Sequence, residues 1–178
     1  MPERFICEAV LRDGKRLLIR PFRESDVDAL WEFFLRLPAD VRRLAWDDIW
    51  NRSVVESWGR NIDYGKVLPL LAFEGGRVVA DATLHRRKGS PLRLVGRLKW
   101  LIEPEFRDLG LGTLLVNRFI TIARNEGLRH LTCMLVDDIE RDAIEVLSSL
   151  GFEKTVISGY GTDPDGNQHD MTKMVLRL

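Results

Sequence analysis

A mixed α/β domain is the fold class this sequence predicts, and three observations carry the prediction. Short apolar stretches bounded by glycine and aspartate turns lie at both ends and in the middle of the chain, as strands do. Between them, apolar residues recur at three- and four-residue spacing, the signature of amphipathic helices. The chain has 178 residues, 45% hydrophobic and 30% charged, so residues 1–178 are expected to form a single domain. A core of that size needs neither disulfides nor structural metal.

The elements follow in order. Apolar runs from Phe5 to Leu11 and Arg16 to Phe22 flank Arg12-Asp13-Gly14-Lys15, which predicts a hairpin. Ser25 followed by Asp28 reads as a helix start; Val27, Leu30, Trp31 and Phe34 recur behind it, and Pro38 marks the stop. A second helical stretch is expected from Asp40 through Trp46. Ser53 with Glu56 repeats the capping pattern ahead of Val54, Trp58 and Ile62, with Gly65 as the stop. Val67 to His85 reads as two strands around Glu74-Gly75-Gly76-Arg77, and Leu92 to Ile102 as a further strand. Thr113 to Asn125 is an amphipathic helix closed by Gly127, with Leu111, Leu115, Phe119 and Ile122 on one face. Leu131 to Val136 is a buried strand, and Asp138 is placed to cap a helix from Ile139 to Leu150. Two final strands flank Asp163-Pro164-Asp165-Gly166, a second hairpin.

Charge and cysteine usage remove several functions. Lys plus Arg equals Asp plus Glu, at 27 each, which argues against a nucleic-acid partner because such binding rests on a basic excess. No apolar run approaches the ~18 residues of a membrane span, so no membrane partner is expected. The opening residues lack the basic and apolar regions of a secretory signal. Cys7 and Cys133 are too few for a disulfide framework or a cysteine zinc site, and both lie in apolar stretches. The three histidines are scattered, so no metal is expected. These features fit a reducing cytoplasm.

The informative stretch is Ile102 to Thr113, where a strand runs into a turn holding Arg107, Gly110 and Gly112 before a helix begins. Glycines let backbone approach a ligand closely, and unpaired helix-start amides favour a phosphate. A P-loop would need Lys after its second glycine, but Thr113 and Leu114 stand there. A dinucleotide fingerprint would need a third glycine or alanine, where Leu115 stands. A tight turn without a ligand is the plain alternative.

The pattern Arg107-x-x-Gly110-x-Gly112 resembles the coenzyme A signature of the GNAT superfamily of acyl-CoA N-acyltransferases. Ile102 to Phe106 is similar to the residues leading into that signature, and Leu147 to Phe152 to the family's helix-to-strand junction. The stretch from Asp13 to Leu30 is similar to the entry strand and first helix of bacterial members, including the protein-acetylating branch. The resemblance implies a mostly antiparallel central sheet flanked by helices, with a V-shaped splay between the two central strands. It implies acetyl-CoA as co-substrate, with transfer by direct attack of a primary amine, of a small molecule or a protein lysine or N-terminus, on the thioester. Leu101 and Ile102 would face the pantetheine and thioester. Arg107, Asp108, Leu109, Gly110, Leu111, Gly112 and Thr113 would hold the pyrophosphate.

The acid–base groups depart from the family pattern. Where many relatives carry a strand glutamate this chain has Arg97, and where many carry a helix tyrosine it has Leu147. A frequent asparagine corresponds to Glu140. A catalytically reduced acyl-CoA sensor or interaction domain is therefore the alternative function. Strand alternation puts Asp81, Thr83 and His85 on one face, near Arg97 and Lys99 of the next strand, as a charge ladder or as a catalytic group. Asp81, Glu103 and Asp137 are the candidate catalytic residues. The acceptor is expected at Trp46, Asp47 and Asp48, whose aromatic and acidic character suits a cationic amine. A homodimer is expected only because two-fold dimers are the commonest assemblies.

Overall fold

The computed structural model describes residues 2–178, and these residues form eight strands and five α-helices in a mostly antiparallel sheet architecture of the expected mixed class. Met1, where the expected single domain begins, lies outside the described residues. The described residues group into two compact units, one running to His85 and including Lys99–Leu111, the other made of Arg86–Leu98 and Gly112–Leu178.

The first unit holds β1 (Cys7–Val10), β2 (Arg16–Pro21), α1 (Val27–Arg36), α2 (Ala39–Arg43), α3 (Arg52–Arg60), β3 (Val67–Glu74), β4 (Arg77–His85) and the latter half of β5 (Val95–Ile102). Strands β1 to β4 pair antiparallel in chain order. The β3–β4 turn needs two successive residues in the left-handed region, and Gly75 and Gly76 supply them at φ 54° and 90°. A register shift at Ala72/Phe73 marks a bulge in this pair. The core gathers Phe22, Leu30, Phe33, Phe34, Leu37, Val55 and Leu71, with Trp58 edge-on to Phe34. Leu30, Phe33 and Phe34 form the buried face of α1, as the helical spacing predicts.

The second unit holds the start of β5, all of α4 (Leu111–Asn125) beyond its first residue, β6 (His130–Val136), α5 (Arg141–Ser149), β7 (Glu153–Thr162) and β8 (Gln168–Arg177). Its strands run β5-β6-β8-β7, with β5 and β6 parallel, and α4 is the crossover such a pair requires. The β5–β6 register covers only Val95–Arg97 against His130–Thr132, whereas β6 pairs along its whole length with β8. Leu115, Phe119, Leu131, Cys133, Leu147 and Met174 are buried here. Burial pushes the Cys133 thiol up to about 12, which marks it as an inert packing residue; Cys7 is only half-buried.

Three helix starts differ from their sequence signatures. Ahead of α1 the chain turns through a short 3-10 segment, Glu24–Asp26. There the Asp26 carboxylate, rather than Ser25, accepts from the Arg23 backbone (2.8 Å) and from both terminal nitrogens of Arg20 (2.6 and 2.7 Å). Asn51, rather than Ser53, caps α3, and Glu56 instead pairs with Arg52. Glu140, rather than Asp138, opens α5, its carboxylate accepting from the Val136 amide at 2.7 Å. Only at α3 does the side chain cap the helix itself; the Asp26 and Glu140 carboxylates bond amides of the chain ahead of α1 and α5, and adjacent Asp, Asn, Ser and Glu compete for such local donors. The strand expected from Leu92 begins at Val95, because Ser90 holds a turn over the Leu92 and Arg93 amides.

Candidate active site

The first unit builds two carboxylate sites of opposite character. Asp81 lies near the middle of β4, opposite Leu71 of β3 and between the buried residues Ala80 and Ala82. The surrounding protein pushes its carboxyl up to about 7; the nearby Asp47 adds to the rise and Lys99 opposes it. Lys99 donates to Asp47 Oδ2 at 2.7 Å, with only 15% of the lysine side chain exposed. The loop between α2 and α3 is thereby tied to β5. On the same face of β4, Thr83 Oγ1 lies 3.0 Å from His85 Nε2. A carboxyl near neutrality with an ammonium close by can exchange a proton at physiological pH.

Glu103 follows β5 directly, and its amide donates to the Val79 carbonyl of β4 at 3.0 Å. It is 3% exposed. Arg36, at the end of α1, donates from Nε to Glu103 Oε1 at 2.7 Å and also to the Val78 carbonyl at 2.7 Å. Arg77 donates to Glu103 Oε2 and to Glu105. With a guanidinium group on each oxygen, Glu103 ties α1, β4 and the end of β5 together.

After Glu103 a short 3-10 turn, Pro104–Phe106, leads into the glycine turn, where Arg107 and Asp108 are exposed. Asp108 has φ 57° and Gly110 φ 90°, so the chain here takes two left-handed residues within three positions. The Leu109 carbonyl accepts from the Arg12 amide at 3.2 Å. Leu111 is buried and opens α4; Gly112 and Thr113 follow in its first turn. Leu101 and Ile102 end β5, Ile102 buried and Leu101 packed against the aromatic core of the first unit.

Asp137 follows β6 directly, in the second unit. Its carboxylate accepts from Thr172 and lies 3.4 Å from Lys154, and these contacts hold it below the ordinary carboxylate range. A lowered pKa makes it the weaker proton acceptor of the candidates. Of the expected acceptor residues, Trp46 is 51% exposed, Asp48 is exposed, and Asp47 is engaged by Lys99. Trp50, which the sequence groups with them, is covered by the Arg42 guanidinium at 4.0 Å. Leu147 is fully buried, so the position it fills is part of the core. Among the described residues no group of three metal-ligating side chains comes together, and no helix is long and apolar enough to cross a membrane.

Sequence reasoning missed Arg36, Arg77, Thr172 and Lys154. Each meets its carboxylate from another element, 67 positions away for Arg36–Glu103, and no local pattern signals such a contact.

Comparison with known proteins bears on this geometry. The profile of the family described as "Acetyltransferase (GNAT) domain" matches residues 16–153, more than half of the chain and residues of both units. An uncharacterized N-acetyltransferase of Methanocaldococcus jannaschii is 38% identical over 60 residues, 33% of this chain; the match spans 26% of that relative's length. The GNAT domain of the PAT protein of S. lividans has the same fold, with a TM-score of 0.82 at 17% identity over 100% of this chain and 99% of that one. So does yncA of Salmonella typhimurium, described as a putative acetyltransferase with its cofactor acetyl-CoA, with a TM-score of 0.74 at 24% identity over 91% of this chain and 94% of that one.

Proposed function

Because the chain belongs to the GNAT acetyltransferase family, we propose that it is an N-acetyltransferase carrying an acetyl group from acetyl-CoA to a primary amine, on a small molecule or on a protein lysine or N-terminus. The observation that supports the catalytic part of this reading best is Asp81, a carboxyl poised at about 7 beside Lys99 and Asp47. Acetyl-CoA supplies an activated thioester. The amides from Arg107 to Thr113 bind its pyrophosphate, and the backbone of Leu101 and Ile102 orients the pantetheine, one amide facing the developing oxyanion.

An acceptor amine reaches the enzyme as an ammonium and attacks only after losing a proton. Asp81 takes that proton, the amine nitrogen bonds to the acetyl carbon, the C–S bond breaks, and the surplus proton on the nitrogen goes to the sulfur, so that CoA leaves as the thiol. A base near neutrality is suited to this step because a substantial fraction of it is ionised near pH 7 while it remains basic enough to take the proton. Asp81 thus supplies a proton acceptor where Arg97 stands in place of the family's strand glutamate. Trp46 and Asp48 draw the cationic acceptor by ring face and charge, while Asp47 takes part through its pair with Lys99. Glu103 and Asp137 organise their surroundings. The reading treats residues 1–178 as one acyltransferase domain and places it in a reducing cytoplasm, where Cys7 and Cys133 stay free thiols.

The test is a calorimetric titration with acetyl-CoA, with ATP and NAD as controls, followed by assay of free CoA released with a panel of small amines and lysine peptides. Saturable binding to acetyl-CoA alone and amine-dependent CoA release are expected. Binding without release under any amine would instead establish an acyl-CoA-binding module, and the absence of binding would remove the coenzyme from the account.

A further inference from the structure

We propose that Arg12, in the turn between β1 and β2, is a phosphate-binding residue whose guanidinium contacts a phosphate of the coenzyme over Gly110. The inference rests on the reading of the Arg107–Thr113 turn as the coenzyme's phosphate site, and it adds a residue from a different part of the chain. The hairpin turn is tight: the Leu11 amide donates to the Lys15 carbonyl at 2.9 Å and the Gly14 amide to the Leu11 carbonyl at 2.9 Å. This presents the Arg12 amide to the Leu109 carbonyl at 3.2 Å, fixing the backbone of Arg12 to the glycine turn. Its side chain then lies over that turn, with Nε 3.7 Å and Cγ 3.9 Å from the point where a Gly110 Cβ would be.

Several of the charges around the turn are already paired. Asp13 is paired with Lys15, Glu105 with Arg77, and Glu103 with Arg36 and Arg77. Lys15 also faces the Phe106 ring at 5.6 Å. The guanidinium groups of Arg12 and Arg107 have no hydrogen-bond or ion-pair partner among the described residues, and the Asp108 carboxylate is likewise unpaired. Arg12 and Arg107 thus bring two unpaired guanidinium groups to this turn. Arginine suits the role because its planar fork can bond two phosphate oxygens at once. The Leu109 tie holds the base of the side chain in place, so less freedom is lost when a ligand is bound.

The test compares wild type, Arg12→Ala and Arg12→Lys by calorimetry, with acetyl-CoA and with acetyl-dephospho-CoA, which lacks the 3′-phosphate, at low and high salt. Both substitutions keep the backbone amide that bonds Leu109, and thermal melts check that the fold is retained. Arg12→Ala is expected to weaken acetyl-CoA binding by about tenfold, Arg12→Lys by less, and the gap to wild type should narrow as salt rises. A gap that disappears with acetyl-dephospho-CoA assigns the contact to the 3′-phosphate, and one that persists assigns it to the pyrophosphate; either supports the proposal. Wild-type affinity in Arg12→Ala, or a loss independent of salt, overturns it. Failure of the wild type itself to bind acetyl-CoA overturns the underlying coenzyme reading, so the two failures are distinguishable.

Discussion

Asp81 and Glu103 are carboxylates of the same compact unit, yet their surroundings give them opposite character. Around Asp81 the protein offers one ammonium, already shared with Asp47, so shielding and the neighbouring anion push the carboxyl up to about 7. Around Glu103 it offers two arginines, one on each oxygen. Burial therefore does not by itself mark a proton acceptor; the balance of charge around the buried group decides. The site around Asp81 is left able to change protonation state, and the one around Glu103 is built to hold elements together.

The comparison can be broken most sharply by removing each carboxylate's function in turn. Asp81→Asn should lower acetyl transfer by about a hundredfold or more while acetyl-CoA affinity, read by calorimetry, stays at the wild-type level. Glu103→Gln should keep kcat within severalfold of wild type and lower the melting temperature instead. Arg36→Ala removes the partner of Glu103 Oε1 and of the Val78 carbonyl, and a denaturant titration should show a loss of about 2–3 kcal/mol.

Two subtler measurements sharpen the contrast. Lys99→Met removes the cation that opposes the rise at Asp81 and releases Asp47, so the acidic limb of the kcat/KM profile should move to higher pH. Stability should also follow protonation. Because the folded Asp81 holds its proton up to about 7 and the unfolded one only to near 3.8, its contribution is fully present below 3.8 and is lost as pH rises through 7. The stability of Asp81→Asn relative to wild type should therefore increase between those values and level off above them, as paired melts across pH would show. The smallest effect is expected at Asp137→Asn, which should retain turnover within about twofold because Thr172 and Lys154 already occupy that carboxylate.

Much of the architecture was legible because it is written in local signals. Gly75-Gly76 and Asp13-Gly14 dictate tight hairpins, and the Leu115–Phe119–Ile122 spacing fixes the buried face of α4. Strand alternation also brought Asp81 toward Lys99, since a period of two assigns faces without knowledge of the rest of the fold. Helix starts were harder, because adjacent polar residues compete for the same backbone donors, as Asp26 does with Ser25. The role of Glu103 was illegible. Nothing in Ile102-Glu103-Pro104 distinguishes a base from an anchor, and the distinction arrives with Arg36 and Arg77 from other elements. Likewise Arg12 lies in what reads as an ordinary hairpin turn until its amide is found on Leu109.

The most direct test of the central claim is the pH dependence of kcat/KM for acetyl transfer in wild type and in Asp81→Asn, with one acceptor amine. If Asp81 accepts the acceptor's proton, the wild-type rate rises with pH through an apparent pKa near 7, and the Asn variant, already slow, lacks that limb. A variant that keeps both the limb and the wild-type rate would contradict the account, and the proton would have to leave by another group.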